Sequence, residues 1–219
     1  MMMSGCVLGV IGLGKFGFKL GQTLINLGEK VVGIDSDPEK VKRAQNVFTQ
    51  VYLADSSQKE VLNQLGFSDL LHVLISVGDS VAASSMITMY LKELGVPKVW
   101  VKAVNTDHGK LLRKVGADEV IIPEHMAAQQ LANRIAKPGF IEYLPFDRNM
   151  VIRELVVHRW AGSTLKQLDV ANRFDIQIIA VKKQKGDTFQ FIPRGDTLLD
   201  RDDLLVAIGK SETLDKLVS

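Results

Sequence analysis

Residues 6–17 read C-V-L-G-V-I-G-L-G-K-F-G, an apolar β-rich run that breaks into Gly12-Leu13-Gly14-Lys15-Phe16-Gly17. A G-x-G-x-x-G placed between a strand and a helix is the turn in which a helix N-terminus is brought up to a phosphate. Gly12 permits the tight turn, Gly14 lets backbone approach the phosphate, and Gly17 lets the helix pack close to the strand. Asp35 ends the next apolar run, where an acid hydrogen-bonds ribose hydroxyls and disfavours a 2′-phosphate. Motif, order and spacing together predict a nucleotide site, with NADP disfavoured.

Outward from that turn, β-rich runs at 6–11, 30–34, 49–53, 72–76, 98–102 and 119–122 alternate with helical patterns near 15–28, 38–45, 57–65, 80–94 and 106–115. Nearly continuous Val, Ile and Leu in such short runs predicts parallel strands covered on both faces. The expected fold is α/β, a Rossmann-like doubly wound parallel sheet over residues 1–122. Pro123 and Glu124 then suit the first turn of a further helix, whose apolar stripe is Met126, Ala127, Leu131 and Ile135. Pro138-Gly139 stops it, so residues 123–148 are expected as a crossover helix and linker.

From residue 149 the rhythm changes to a small α+β C-terminal domain, 149–219. Its expected parts are a strand over 150–157, a helix over 164–172 capped by Ser163, and a hairpin of 176–182 with 188–192 turned at Lys185-Gly186-Asp187. A strand over 204–208 and a short helix after Gly209 complete it.

Three more strand ends fall on the edge of the sheet where ligands bind in such folds. Ala54-Asp55-Ser56 offers groups for an adenine edge, or Ser56 simply caps a helix. Ser76-Val77-Gly78-Asp79 is the second, and Lys102 the third. Lys15 and Lys102 place two cations over the phosphate position, which suits a polyphosphate better than a neutral nicotinamide. The candidate binding set is Gly12, Gly14, Lys15, Phe16, Gly17, Asp35, Asp37, Asp55, Ser56, Val77, Gly78 and Lys102.

Composition narrows the class. With 219 residues, 46% apolar and 24% charged, the chain has the make-up of a soluble globular protein of two small domains. A net charge of +2 gives no large affinity for nucleic acid, and none is expected as a partner. The single cysteine, Cys6, excludes an intramolecular disulfide, suits a reducing cytosol and is expected in the core. Residues 1–5 carry no Lys or Arg, and the apolar run at 70–77 is too short to span a bilayer. Two alternatives use the same glycine motif. An NAD-dependent oxidoreductase needs an acid–base group opposite the nicotinamide, yet His72, His108, His125 and His158 have no evident catalytic partners. An NADH-sensing repressor needs a basic recognition helix, and no such cluster is present. No Cys/His spacing suggests zinc.

Several stretches carry a resemblance to a known family: V-I-G-L-G-K-F-G (10–17), I-D-S-D-P-E-K-V (34–41), L-K-E-L-G-V-P-K-V-W-V-K-A (91–103), L-L-R-K-V-G-A-D-E-V-I-I-P-E (111–124), A-G-S-T-L-K-Q-L-D-V (161–170) and D-L-L-V-A-I-G (203–209). The chain resembles the regulator-of-potassium-conductance (RCK/KTN) family, of the KtrA and TrkA kind, over nearly its whole length. Such a resemblance implies a regulatory subunit without enzymatic activity that forms homodimers assembled into a tetrameric or octameric ring. That ring would dock on the cytoplasmic side of an integral-membrane potassium-translocating partner. It also implies ATP or ADP, or in some members NAD(H), held by Gly12, Gly14, Gly17 and Asp35, with Lys15 and Lys102 on the phosphates. Glu124 would sit near the terminal phosphate or a divalent cation, Mg²⁺ or Ca²⁺. Lys15 stands where KtrA-like members often carry arginine, keeping the charge without the fork geometry, and Ala54 departs from the commoner G-D-A/S pattern. Some members bind cyclic di-AMP in the second domain; Arg173, Ile176 and Pro193 fall in the matching region, where Ile176 also reads as core and Arg173 as a solvated helix end.

Overall fold

The computed structural model describes residues 7–77, 80–137, 139–144 and 147–218. Two compact units divide the chain, residues 1–125 and 126–219.

In the first unit the strands are β1 (Val7–Ile11), β2 (Lys30–Asp35), β3 (Gln50–Leu53), β4 (His72–Ile75), β5 (Lys98–Lys102) and β6 (Glu119–Ile121). They form one parallel sheet in the order β3-β2-β1-β4-β5-β6. Sequence order reverses between β1 and β4, the topological switch point at which doubly wound folds bind ligands. The connecting helices are α1 (Lys15–Asn26), α2 (Pro38–Gln45), α3 (Lys59–Gln64), α4 (Val81–Glu93) and α5 (Thr106–Val115), and α6 (Pro123–Ala136) leads out of the unit.

Period-two alternation sorts the sheet's residues onto two faces. Ile11, Val73, Ile75, Val99 and Val101 lie under α3, α4 and α5 with Leu62, Phe67, Ile87, Leu91 and Leu112. Val10, Val31 and Leu74 face the other way, packed with Leu13, Val41, Ala44 and Phe48. Phe48 explains two glycines. A Cβ at Gly21 would lie 2.1 Å from its ring and one at Gly33 2.8 Å, so the ring seats α1 against β2 only where side chains are missing. Helix boundaries follow local chemistry: Asp37 caps α2 ahead of Pro38, Ser80 caps α4, and Asn105 caps α5, which ends at left-handed Gly116.

The second unit holds β7 (Phe140–Leu144), β8 (Asp147–Val156), β9 (Ile176–Lys182), β10 (Gln190–Phe191) and β11 (Leu204–Lys210). They form an antiparallel sheet ordered β10-β9-β11-β8-β7, with α7 (Leu165–Leu168), α8 (Val170–Phe174) and α9 (Ser211–Val218). Val151, Leu155, Ile178, Leu199, Leu205, Ala207 and Leu214 make its core.

Three differences from the sequence reading have physical causes. Residues 140–144, expected in a linker, pair with β8 as an edge strand, with Phe140 opposite Arg153 and Tyr143 opposite Val151. The expected helix over 164–172 is two short helices, because Asp169 takes a left-handed conformation at φ 46° and interrupts it. Its cap is Thr164 and not Ser163: Thr164 Oγ1 accepts from Gln167 N while Gln167 Oε1 accepts from Thr164 N, a capping box. Cys6, Gly78, Asp79 and Pro138 lie outside the described residues.

Candidate functional site

Every strand of a parallel sheet delivers its C-terminal end to one edge, and there the first unit opens a cleft of about 650 Å³. That volume falls within the range of small-molecule sites. From the glycine turn come Gly12, Gly14, Lys15 and Phe16; from the ends of β2 and β4 come Asp35, Ser36, Ser76 and Val77; Lys40, Ser56, Ser80, Lys102 and Glu124 complete the lining.

The glycine turn cannot be built from other residues. Gly12 has φ 90°, and a Cβ there would lie 2.3 Å from the Ser76 carbonyl oxygen, so the turn of β1 lies directly against the end of β4. A Cβ on Gly17 would lie 2.0 Å from the Gly12 carbonyl oxygen, which sets how closely α1 follows β1. Gly14 differs: no heavy atom lies within 4 Å of its Cβ position. It is the N-cap of α1, and no side chain caps that helix. The first-turn amides of α1 therefore lack a side-chain acceptor at the mouth of a cleft, the arrangement that takes a phosphate oxygen.

Asp35 does more than face the cleft. Its Oδ2 accepts from Leu13 N at 2.7 Å and its Oδ1 from Asp37 N at 2.9 Å. The carboxylate thus ties the glycine turn to the start of α2, with lone pairs left over for a ligand hydroxyl. Lys40 Nζ lies 3.7 Å from Asp35 and 3.5 Å from Asp37, bringing a cation to the same corner. The turn is also held from behind. Arg43 donates to the Leu13 carbonyl oxygen at 2.7 Å while its guanidinium lies 4.1 Å from the centre of the Phe18 ring, which stacks on Phe48.

At the other end of the cleft, Lys102 Nζ and Glu124 Oε1 are 2.9 Å apart. The hydrogen bond from Lys102, then one from a backbone N–H, holds the Glu124 carboxyl below its ordinary range. Glu124 is the second residue of α6.

Thirteen positions were singled out from the sequence, and the structure gathers Gly12, Gly14, Lys15, Phe16, Asp35, Ser56, Val77, Lys102 and Glu124 around the cleft. Gly17, Asp37 and Asp55 do not line it. Asp37 accepts from Glu39 N as the cap of α2, and Asp55 accepts from Ser57 N in a turn of its own. These backbone bonds come first among the causes that lower both carboxyls from their ordinary value. Gly78 lies outside the described residues. Ser36, Lys40, Ser76 and Ser80 were not in the candidate set. Lys40 was legible in principle: Asp37-Pro38 fixes the start of α2, so the third helical residue must stand beside the end of β2.

None of the four histidines lines the cleft. His108 is buried between α4 and α5, its Nδ1 accepting from Val104 N at 3.2 Å. That leaves the proton on Nε2, 3.0 Å from Ser84 Oγ, and burial lowers the pKa of the ring. In the second unit Ile176 is core and Arg173 is exposed at the end of α8, its guanidinium 5.3 Å from the Phe174 ring centre. Among the described residues no three His, Cys, Asp or Glu side chains converge as a metal cage, and no helix is long and apolar enough to cross a membrane.

A doubly wound sheet with a glycine-turn cleft at its switch point, followed by a small antiparallel domain, defines a two-domain class of protein with a Rossmann-like first domain. The TrkA-N domain model matches residues 8–123 and the TrkA-C domain model residues 151–219. The chain belongs to the TrkA/KtrA-type RCK family. It is 34% identical to Ktr system potassium uptake protein C of Bacillus subtilis (strain 168), over 91% of this chain and 90% of that protein. It is 31% identical to Ktr system potassium uptake protein A of Vibrio alginolyticus, over 94% and 93%. Among solved structures, the GsuK RCK domain shares the fold at 21% identity and TM-score 0.61, covering 99% of this chain and 48% of that one. The GsuK channel bound to NAD does so at 17% and 0.57, covering 99% and 38%; this chain spans less than half of either GsuK chain.

Proposed function

We propose that this protein is a nucleotide-binding regulatory subunit, without catalytic activity of its own, that controls a membrane potassium-translocating partner. The observation that carries the reading is the uncapped N-terminus of α1 at a switch-point cleft with Lys15, Lys102 and Asp35 around it. In this reading Asp35 accepts from the ribose, the first turn of α1, Lys15 and Lys102 bind the phosphates, and Glu124 lies near the terminal one. ATP and ADP fit the charges best; NAD(H) would use the same ribose and pyrophosphate positions, and the similar GsuK channel has been solved bound to NAD. A divalent cation, Mg²⁺ or Ca²⁺, would take one ligand from Glu124 and the rest from phosphate oxygens and water, since no protein cage exists among the described residues.

The likeness to the Ktr uptake proteins supports potassium transport as the process regulated. Homodimers assembled into a tetrameric or octameric ring on the cytoplasmic side of the partner complete the proposal. A ligand shifts such an assembly only by its differential affinity for two states, typically about 1–3 kcal/mol. One or two charged contacts at Lys102 and Glu124 reach that range.

Calorimetric titration of the purified chain with ATP, ADP, NAD⁺ and NADH, with and without Mg²⁺, tests the reading. Binding of at least one adenine nucleotide without turnover is expected. No binding under saturating ligand, or product formed from bound nucleotide, sinks it. Indistinguishable transport and assembly with ATP and ADP would remove the gating mechanism and leave the site.

A further inference from the structure

The contact between Lys102 and Glu124 occupies the place that the nucleotide reading reserves for phosphate. Lys102 closes β5 with its side chain only 20% exposed, whereas that of Glu124 is 65% exposed at the start of α6. Both line the cleft, and their separation of 2.9 Å is that of a charge-assisted hydrogen bond. We propose that Glu124 is a built-in competitor for the phosphate position at Lys102, so that the cleft ranks its ligands by the charge at their far end. This inference rests on the nucleotide reading and specifies how that site discriminates.

Phosphate and carboxylate compete for the same ammonium. A phosphate oxygen bound to Lys102 must approach Nζ to about 2.8 Å, the distance at which Glu124 Oε1 already lies. An ammonium can donate to more than one anion, but Lys102 holds the Glu124 carboxylate where its charge repels an incoming phosphate. The phosphate therefore binds more tightly with the carboxylate moved aside, unless a cation separates the two. Adenosine reaches the Asp35 end of the cleft and leaves the pair closed. ADP and ATP favour its opening, and opening frees the second residue of α6 from Lys102 at the end of β5. The pair thus makes nucleoside and nucleotide different inputs to the same pocket.

The experiment is calorimetric titration of the full chain with ADP and with adenosine in chelator-containing buffer, comparing wild type, Glu124→Gln and Lys102→Met with and without Glu124→Gln. Removing the competitor is expected to tighten ADP about two- to five-fold, the factor an exposed ion pair is worth, and to leave adenosine unchanged. In the Lys102→Met background Glu124→Gln is expected to change nothing. Unchanged or weaker ADP binding in the single variant overturns the inference. So does equal tightening of both ligands, or a gain that persists without Lys102. Wild type that binds neither ligand overturns the nucleotide reading itself, and the inference with it.

Discussion

The two units use the same kinds of charged residue in opposite ways. In the first, Lys15, Lys40, Lys102, Asp35 and Glu124 converge on an open cleft. In the second, Lys183 donates to Asp200, to Asp203 and to the Leu198 carbonyl, all within 2.8 Å, and Arg153 pairs with Asp215 at 2.7 Å. Those charges fasten strands and helix to one another. Topology accounts for the contrast. A parallel sheet sends its C-terminal strand ends to one edge and leaves a crevice there, whereas antiparallel neighbours fold each strand end back beside the next. Lys182 of β9 is opposite Leu204 of β11, so Lys183 and Asp203 meet where one strand leaves and the other enters.

The sharpest way to break this contrast is to remove a charge from the second unit. Asp203 is 1% exposed, and besides Lys183 it accepts from Asp200 N and Gln184 N. Burial would raise its carboxyl, but the bond from Lys183 and the two backbone bonds outweigh it and hold the pKa below the ordinary value. Asp203→Asn leaves Lys183 and an amide poorly matched, at a cost of about 2–4 kcal/mol, discounted for the half-exposed lysine. Chemical denaturation should show that loss, with ADP affinity unchanged. An equal loss of nucleotide binding would mean that the second unit's charges also serve the cleft.

Glycines in the first unit sharpen the same contrast on a smaller scale. Gly17→Ala forces a Cβ onto the Gly12 carbonyl and should cost about 1–3 kcal/mol of stability. Gly14→Ala, with open space around it and an ordinary φ of −62°, should leave denaturation midpoints nearly unchanged and weaken ADP instead. If both variants lose stability equally, Gly14 is structural and the cleft reading loses its clearest backbone support.

Much of this was legible from residues 6–17 and 30–35. Alternation of apolar runs with helical patterns has only a few topological solutions, and the glycine spacing points to the edge at which the cleft opens. What stayed hidden depended on pairing at a distance. Asp37 and Asp55 look like ligand groups in sequence, but each is satisfied within two residues by its own backbone. The strand at 140–144 was obscured by the Pro138-Gly139 stop and exists only because β8 offers an edge. Arg43 lies 30 residues beyond the carbonyl that it holds.

pH separates the two units again. His108 binds its proton less readily in the folded chain than at the ordinary value near 6.5. Between the two values the unfolded chain carries more protons, so stability rises with pH there. The contribution of His108 is complete above about 6.5 and is lost as pH falls towards the folded value, by at most about 1.4 kcal/mol per pH unit. Asp203 acts with the same sign, but only below about pH 4. Denaturation midpoints followed from pH 7.5 to 5 (a range of about two and a half units) should therefore fall in wild type and flatten in His108→Gln. A slope that survives the substitution assigns the titration to another group.

The smallest effect belongs to Arg43, and it tests whether the glycine turn is held rigid for its ligand or merely folded. Arg43→Lys keeps the charge and much of the stem but loses the planar guanidinium that spans the Leu13 carbonyl and the Phe18 ring. Stability should fall by only about 0.5–1 kcal/mol, the worth of an exposed cation–π contact and a weakened hydrogen bond. Because the same carbonyl belongs to the turn that presents the α1 amides, ADP should weaken by a factor of about two to five, the equivalent of that same free energy. Stability loss with intact ADP binding would show that the turn keeps its shape without Arg43. The rigidity of the cleft would then rest on Asp35 alone, whose two bonds to Leu13 N and Asp37 N bridge the turn from the side of the ligand.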